Sequence, residues 1–232
     1  MRRRLFHASS LTALWALLAQ QQAQAAGLEG VSNAETSKGL QAALETGALS
    51  ALGLLGKPDG FMGNPKVRIP LPGFLESAAK LLRTLGKGQQ VDELVTAMNR
   101  AAESAVPLAR DLLLGAVKSM NFSDAKKILL GGETSVTEFF VEKTREPLAV
   151  KFLPMVTQAT QKVGLAEKYN RVAGKAVGLG LVKKEDASIE QYVTRKTLDG
   201  LYLMIGEEEK KIRRDPIGTG SAVLQKVFGA LK

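Results

Sequence analysis

Residues 192–205 read Tyr192-Val-Thr-Arg-Lys-Thr-Leu-Asp-Gly-Leu-Tyr-Leu-Met-Ile205, and this stretch decides the fold. From Leu201 to Ile205 every side chain is apolar, so a helix there would be apolar on all sides. Such a helix is stable only when other elements surround it. The stretch therefore predicts the buried centre of a helical bundle, within a long helix that Ser188 caps together with Gln191 and that ends before Pro216.

Helical periodicity and capping signals recur along most of the chain. With Pro107 either kinking a helix or beginning another, we expect about nine helices and no strand. The expected helices are read from apolar spacing and from glycine and proline breaks. They cover residues 32–55, 74–85, 89–105, 107–120, 123–131, 135–143, 147–163, 165–177, 188–215 and 222–231, where 89–105 and 107–120 count as one helix if Pro107 only kinks it. The fold class is therefore all-α, as one bundle-like domain over residues 26–232.

One segment cannot be helical. Residues 56–73 contain four of the eight prolines, and Pro70 and Pro72 also exclude a central strand. Val67, Ile69 and Leu71 alternate with polar or proline positions, which predicts an extended strap with its apolar groups turned inward. Long loops of this kind are often functional, although the strap could equally serve only to cover the helical core.

Two cations of this strap are candidate binding residues. Lys66 and Arg68 alternate with the apolar positions, so an extended backbone would turn both outward. A guanidinium binds carboxylate or phosphate through two parallel hydrogen bonds. We therefore expect an anion-binding edge at Lys66 and Arg68.

Composition excludes many kinds of chemistry. The 232 residues contain no Cys, one His and one Trp, and these two are His7 and Trp15 near the N-terminus. Without Cys there is no disulfide, thiolate nucleophile or Cys-based zinc site, and if His7 is cleaved off with the N-terminal segment there is no histidine-based triad. We expect no metal and no cofactor. If the protein is an enzyme, the composition leaves catalysis by carboxylates, such as glycoside cleavage by Glu or Asp.

The N-terminus has the pattern of an export signal. Arg2, Arg3 and Arg4 precede a mostly apolar run, and Ala23-Gln24-Ala25 supplies a small-x-small cleavage site. We expect a signal peptide over residues 1–25 and a periplasmic protein. The three arginines favour an ordinary Sec signal over the twin-arginine route. No stretch of the mature chain is apolar enough for a transmembrane segment.

The formal net charge of +9 is mild for this length. Its densest cluster follows Glu207, Glu208 and Glu209, which pair with later cations at i,i+4 spacing, so we interpret residues 207–214 as a solvated helix end. We expect no nucleic-acid binding. The sequence leaves the oligomeric state open.

Four further polar residues are candidates for a site. Asn99 and Glu103 lie on one face of the helix 89–105, where they either line a cleft or face solvent, with Arg100 placed to satisfy Glu103. Asp199 adjoins the apolar centre of its helix and would need a partner there, such as Lys196 or a cation of the strap.

Four motifs carry a family resemblance: Asn64-Pro-Lys-Val-Arg-Ile-Pro-Leu-Pro72, Met98-Asn-Arg-Ala-Ala-Glu103, Lys151-Phe-Leu-Pro154, and Tyr192-Val-Thr194 with Leu198-Asp-Gly-Leu201. In this order they resemble the bacterial domain of unknown function 4197, over nearly all of the chain after the signal. The resemblance implies an exported protein, often lipidated, although this chain lacks the lipobox Cys. It implies no catalytic residues.

Three functions fit the residues. The favoured one is a non-enzymatic periplasmic protein that binds an envelope protein or an anionic envelope component through the cationic strap. The second is a cell-wall glycan hydrolase that uses Glu103 and Asp199, which would require the two carboxylates to flank one cleft. The third is a helical lipid-binding protein with a buried apolar cavity.

Overall fold

The computed structural model describes residues 33–215 except 163, 179, 181–182 and 184–185. The predicted signal peptide 1–25, the predicted N-cap Ser32 and the predicted tail helix 222–231 lie outside the described residues. Within them the chain is all-helical and contains no strand, which confirms the fold class.

The described residues contain eight α-helices and two short 3₁₀ turns. The helices are α1 Asn33–Leu55, α2 Glu76–Thr84, α3 Gly88–Ala105, α4 Arg110–Lys118, α5 Phe122–Leu130, α6 Ser135–Thr160, α7 Gly164–Gly178 and α8 Ile189–Arg214, and the 3₁₀ turns are Gly73–Leu75 and Val106–Ala109. Their apolar faces join in one core, with α6 and α8 packed along each other at its centre.

The expected number of helices was too high because α6 is one continuous helix. We expected a helix ending at Lys143 and another starting at Pro147, but both Pro147 and Pro154 lie inside α6. An interior proline removes one helical hydrogen bond and costs about 3 kcal/mol. Along α6 a buried side chain recurs every fourth residue, and the gain from burying this row exceeds the cost of the prolines. The row consists of Phe140, Thr144, Leu148, Phe152, Val156 and Thr160.

The start of α8 agrees with the prediction. The Ser188 hydroxyl accepts from the Gln191 backbone N–H at 3.2 Å. The apolar stretch 201–205 is buried except for Leu203, which is 44% exposed. In α5 the cap lies two residues earlier than the expected Ser123, because Asn121 and Asp124 form a reciprocal capping box.

The segment between α1 and the first 3₁₀ turn is non-helical, as its prolines require. It is not confirmed as an extended strap, because residues 58–63 and 65–67 form turns and the segment contains no strand. The predicted alternation holds over a short stretch, where Val67 and Ile69 are buried and Arg68 is exposed. We call residues 56–72 the interhelical segment.

Candidate functional site

Glu103 holds the first turn of the interhelical segment. Its carboxylate is buried on α3, and Oε1 accepts from the backbone N–H groups of Phe61 and Met62, both at 3.0 Å. Oε2 accepts from Arg100 at 2.7 Å, and the same guanidinium donates to Asp59 at 2.8 Å. The predicted Arg100–Glu103 pair is therefore confirmed. Both oxygens of Glu103 are used in fixing the segment.

Asn99 fixes the second half of that segment. Its side chain is fully buried, and Oδ1 accepts from the Ile69 backbone N–H at 2.8 Å while Nδ2 donates to the Ile69 carbonyl at 2.9 Å. The amide thus satisfies both backbone groups of one residue, as a neighbouring strand would. The polar face of α3 that carries Asn99 and Glu103 covers the interhelical segment at these positions and is not a solvated surface there.

The two predicted cationic residues of the segment have different surroundings. Lys66 forms an ion pair with Glu207 of α8, and this pair lowers the pKa of Glu207. Arg68 is exposed and makes no ion pair with any residue that the structure describes. Its charge makes the smallest of the contributions that lower the pKa of Asp92, after the direct hydrogen bond from Arg83.

Asp199 belongs to a separate network of charges between α6 and α8. Its Oδ1 accepts from Arg145 at 2.7 Å and its Oδ2 accepts from Arg195 at 3.3 Å. Arg195 also donates to Asp186 through Nε and Nη2, at 3.0 and 2.7 Å. The expected partners of Asp199, Lys196 or a cation of the interhelical segment, were wrong. Two arginines take that role, one of them from the facing helix.

Two tyrosine rings support these arginines. The guanidinium of Arg145 lies 5.8 Å from the ring centre of Tyr202, and that of Arg195 lies 5.5 Å from Tyr192, within the range of a cation–π contact. Burial raises the pKa of each phenol to about 12. The Tyr192 hydroxyl also donates to the Pro70 carbonyl at 3.0 Å. One residue therefore connects the charge network to the interhelical segment.

An open groove of about 480 Å³ lies beside this network. On α6 it is lined by Arg145, Ala149, Val150 and Leu153, and on α8 by Thr194, Arg195 and Leu198. Its volume falls within the range of small-molecule sites, roughly 300–1,000 Å³. We call it the α6/α8 groove. It combines two guanidinium groups and the exposed carboxylate of Glu146 with apolar side chains along α6.

Thr194 adds an unusual feature to the groove. The residue is only 5% exposed, and its hydroxyl is the one buried side-chain oxygen or nitrogen of the described residues that has no hydrogen-bond partner. A buried hydroxyl without a partner costs about 1–3 kcal/mol. The oxygen is also closed to solvent.

The predicted site residues fall into two groups that share no hydrogen bond or ion pair in the described part of the chain. Asn99, Arg100 and Glu103 bind the interhelical segment, while Asp199 pairs with Arg145 and Arg195. Lys66 and Arg68 form no hydrogen bond or ion pair with Glu103 or Asp199.

Sequence reasoning missed Arg145 and Thr194 of the groove, because no local motif marks either residue. It also misread Glu209, whose side chain is only 1% exposed. Glu209 accepts from the backbone N–H groups of Val136 and Thr137, both at 3.1 Å, and so caps α6 from α8. The interpretation of residues 207–214 as a solvated helix end was wrong at this position. No local sequence signal marked this role, because the residue that donates to Glu209 lies 73 positions earlier in the chain.

No group of three or more acidic or His side chains among the described residues could hold a metal ion. None of the helices in that part of the chain has the length and apolarity that a membrane span requires.

The fold and the groove define the class as an all-α helical protein with an open groove between the two longest helices of its described part. The chain belongs to the family whose description is "Protein of unknown function (DUF4197)", whose model matches residues 30–229. Neither a curated protein nor a solved structure matches the chain.

Proposed function

We propose that this protein is a non-enzymatic binding protein of the bacterial periplasm and that its ligand site is the α6/α8 groove. The observation that carries the proposal is an open groove in which arginine side chains lie beside exposed apolar side chains. Arg145 uses one of its guanidinium nitrogens on Asp199. Binding sites commonly combine a few such polar groups with apolar lining.

The state of the carboxylates favours binding over hydrolysis. A glycosidase needs one protonated and one ionised carboxyl group on either side of the bond that it cleaves. Here Glu103 is engaged by two backbone N–H groups and an arginine, and Asp199 is held by two arginines. These donors occupy both oxygens of each carboxylate, which leaves neither group free to act on a glycosidic bond.

The cationic surface at Lys66 and Arg68, which the sequence favoured, is the weaker candidate for a partner site. The ion pair with Glu207 partly neutralises Lys66, and Arg68 stands alone as an exposed charge. A lone exposed cation attracts anions only weakly at physiological ionic strength.

The structure bears differently on the alternative of a helical lipid-binding protein, which would need a buried apolar cavity. The apolar cavity between α1, α6 and α8 offers about 20 Å³, which is room for about one water, so an open groove suits an acyl chain better.

The groove is tested by native mass spectrometry of the protein isolated from its own cells under mild conditions. We expect a co-purifying small molecule on the wild type and its loss from Val150→Asp, because Val150 is 76% exposed and its replacement leaves the core intact. Arg110→Gln, on a different surface depression, is the matched control and should retain the molecule. Equal occupancy of wild type and Val150→Asp would reject the groove as the site.

The periplasmic location is tested separately. Cell fractionation should recover the protein with periplasmic markers, and its intact mass should correspond to a chain that begins at Ala26. Recovery with the cytoplasmic fraction at the full-length mass would contradict this part of the proposal and leave the groove assignment unaffected.

A further inference from the structure

We propose that the protein docks on the surface of an anionic phospholipid bilayer through the exposed side of α2 and the adjoining cationic side of α7. This interaction is additional to the binding proposed above, since the α6/α8 groove is lined by other helices. We call this surface the α2/α7 face. It consists of Phe74, Ala78, Leu81, Leu85, Lys168 and Arg171.

The outer side of α2 is an exposed row of apolar side chains. Phe74, Ala78, Leu81 and Leu85 follow one another at spacings of four, three and four, so they lie on one side of the helical segment that begins with the 3₁₀ turn Gly73–Leu75. Leu81 is 60% and Leu85 63% exposed, and Phe74 is 37% exposed. Single exposed apolar residues are ordinary, whereas a contiguous patch of them marks an interaction surface.

Packing of α2 on the core does not require this row. None of the residues of α2 is buried. Leu75, Ala79 and Leu82 are half-buried and line a cleft of about 150 Å³ between α2, α3 and α7. These three side chains hold α2 on the bundle. The outer row is therefore available for a contact outside the described part of the chain.

The neighbouring helix α7 places two cations beside the apolar row. The ring of Phe74 packs against Tyr169 of α7, with ring centres 5.8 Å apart, and Ala78 lines the same cleft as Lys168. Arg171 follows Lys168 at i+3, so both lie on one side of α7. Both are exposed, and neither forms an ion pair with any residue that the structure describes.

The balance of charge on the two helices favours an anionic surface as the partner. Among their acids, Glu76 and Glu167 are both exposed, while Arg83 is paired with Asp92 of α3. In sequence α2 and α7 carry five cations against these two acids: Lys80, Arg83, Lys168, Arg171 and Lys175. Each Lys or Arg close to an anionic membrane contributes about 1 kcal/mol, which corresponds to about fivefold in affinity.

The shape of α2 suits a bilayer better than a folded protein. A helix that binds at a membrane interface has Phe and Leu on one side and Lys and Arg on another, and it lies in the plane of the interface. In α2, Lys80 and Arg83 lie on a different side from Leu81. Because α2 lies on the outside of the bundle, its apolar row can enter a fluid bilayer, whereas an acidic protein would need a matching groove.

The test is sedimentation of the protein, isolated from its own cells, with two kinds of vesicle. One contains equal amounts of phosphatidylglycerol and phosphatidylcholine, and the other contains phosphatidylcholine alone. We expect at least about fivefold tighter binding to the anionic vesicles at low salt, and a loss of this difference near ~0.5 M salt, where charges are screened. Bound vesicles should slow amide hydrogen exchange in residues 76–87 and leave α5 unchanged.

Two double variants test the two parts of the face. Leu81→Gln with Leu85→Gln should weaken binding to the anionic vesicles at least about tenfold, and both positions are exposed, so the fold should be retained. The matched control is Phe122→Gln with Leu130→Gln on α5, where the side chains are 51% and 64% exposed. It should bind like the wild type.

The second double variant removes the cations of α7. Lys168→Gln with Arg171→Gln should weaken binding to the anionic vesicles at least about tenfold and should not change binding to phosphatidylcholine alone. Lys126→Gln with Lys127→Gln, at exposed positions of α5, is its matched control and should have no such effect.

The proposal is overturned if the leucine variant binds as well as its α5 control, or if the wild type does not distinguish the two kinds of vesicle. It is also overturned if the wild type binds neither kind. A dimer or a complex with an acidic protein that the leucine variant loses would then assign the same face to a protein partner. The α6/α8 groove is judged separately, because Val150→Asp should bind vesicles like the wild type.

Discussion

The ring of Phe61, in the interhelical segment, lies directly against Gly200 of α8. A Cβ atom placed on Gly200 would stand 2.7 Å from Cε1 of Phe61 and 3.3 Å from Cβ of Val67. Both of these side chains are buried. The absence of a side chain at position 200 is therefore what allows the interhelical segment to pack on the central helix.

Gly200→Ala should lower the free energy of unfolding by about 1–3 kcal/mol, the usual cost of overpacking a core. This is the opposite of the intrinsic preference of a helix, which favours Ala over Gly by roughly 1 kcal/mol. Chemical denaturation provides the measurement. Gly115→Ala in α4 is the matched control, because a Cβ there meets nothing within 4 Å, and that variant should be more stable than the wild type. Stabilisation by both substitutions would show that Phe61 is not confined by Gly200.

Glu103→Gln should destabilise the protein by about 1–3 kcal/mol, because a buried amide cannot accept as many hydrogen bonds as the carboxylate that it replaces. Besides lowering the stability of the whole protein, the substitution should loosen the backbone of the interhelical segment near Glu103. The amides of Phe61 and Met62 should exchange with solvent faster in the variant, since both donate to Glu103. Glu93→Gln, on the exposed side of the same helix, is the control and should change neither quantity. Unchanged exchange at both amides would contradict the role of Glu103.

Glu209→Gln should cost about 3 kcal/mol, because it leaves Arg213 without its buried ionised partner and weakens the cap on α6. Denaturant unfolding measures the loss, and hydrogen exchange at Val136 and Thr137 places it at the start of α6. Glu207→Gln, two residues earlier in an exposed pair with Lys66, should have little effect. Equal effects of the two substitutions would mean that Glu209 acts only as a surface charge.

Pro147→Ala should stabilise the protein by about 1 kcal/mol or more. Pro147 is exposed inside α6, so its replacement removes little packing and restores a backbone hydrogen bond to the Lys143 carbonyl. Thermal unfolding monitored by circular dichroism is the measurement. Pro65→Ala, in the interhelical segment where no helical hydrogen bond is gained, is the control and should give no such increase. A lower midpoint for Pro147→Ala would mean that the ring itself supports the helix.

Stability should fall at alkaline pH as the tyrosines ionise. Burial raises the pKa of Tyr192 and of Tyr202 to about 12, and raises that of Tyr169 as well, whereas an unfolded tyrosine titrates near ~10. The native state therefore holds these protons more tightly. The stabilising contribution is complete below pH ~10 and is lost as the pH rises from there toward about 12.

Absorbance of the tyrosinate ion should follow this loss of structure, because these are the three tyrosines of the chain. We expect its rise to coincide with the loss of helical circular dichroism. A tyrosinate signal that is complete near pH ~10 while the helix signal is unchanged would contradict the burial of the phenols.

Much of the fold could be predicted from local sequence. The buried row of α3, the Ser188 cap and the proline-rich break between α1 and α2 follow from periods of 3.6 residues, capping chemistry and the missing N–H of proline. The continuous helix α6 could not be predicted in this way. Its prolines are locally unfavourable, and only its packing against α8 and the rest of the core outweighs them.

Less of the candidate site than of the fold could be predicted from local sequence patterns. Asp199 was recognisable as an acid beside an apolar stretch, but its partner Arg145 lies 54 residues earlier in the chain. Thr194 is an ordinary helical threonine in the sequence, and its lack of a hydrogen-bond partner depends on its burial.

The sequence by itself determined the fold class, the family motifs and the exclusion of thiol chemistry, because these depend on residue identity and short-range spacing. The tertiary structure alone decided which charges pair. Glu103 accepts a hydrogen bond from the interhelical segment, Glu209 caps the start of α6, and Asp199 pairs with Arg145 beside the α6/α8 groove. The energy of a buried charge depends on its neighbours in space, and in this fold those neighbours come from distant helices.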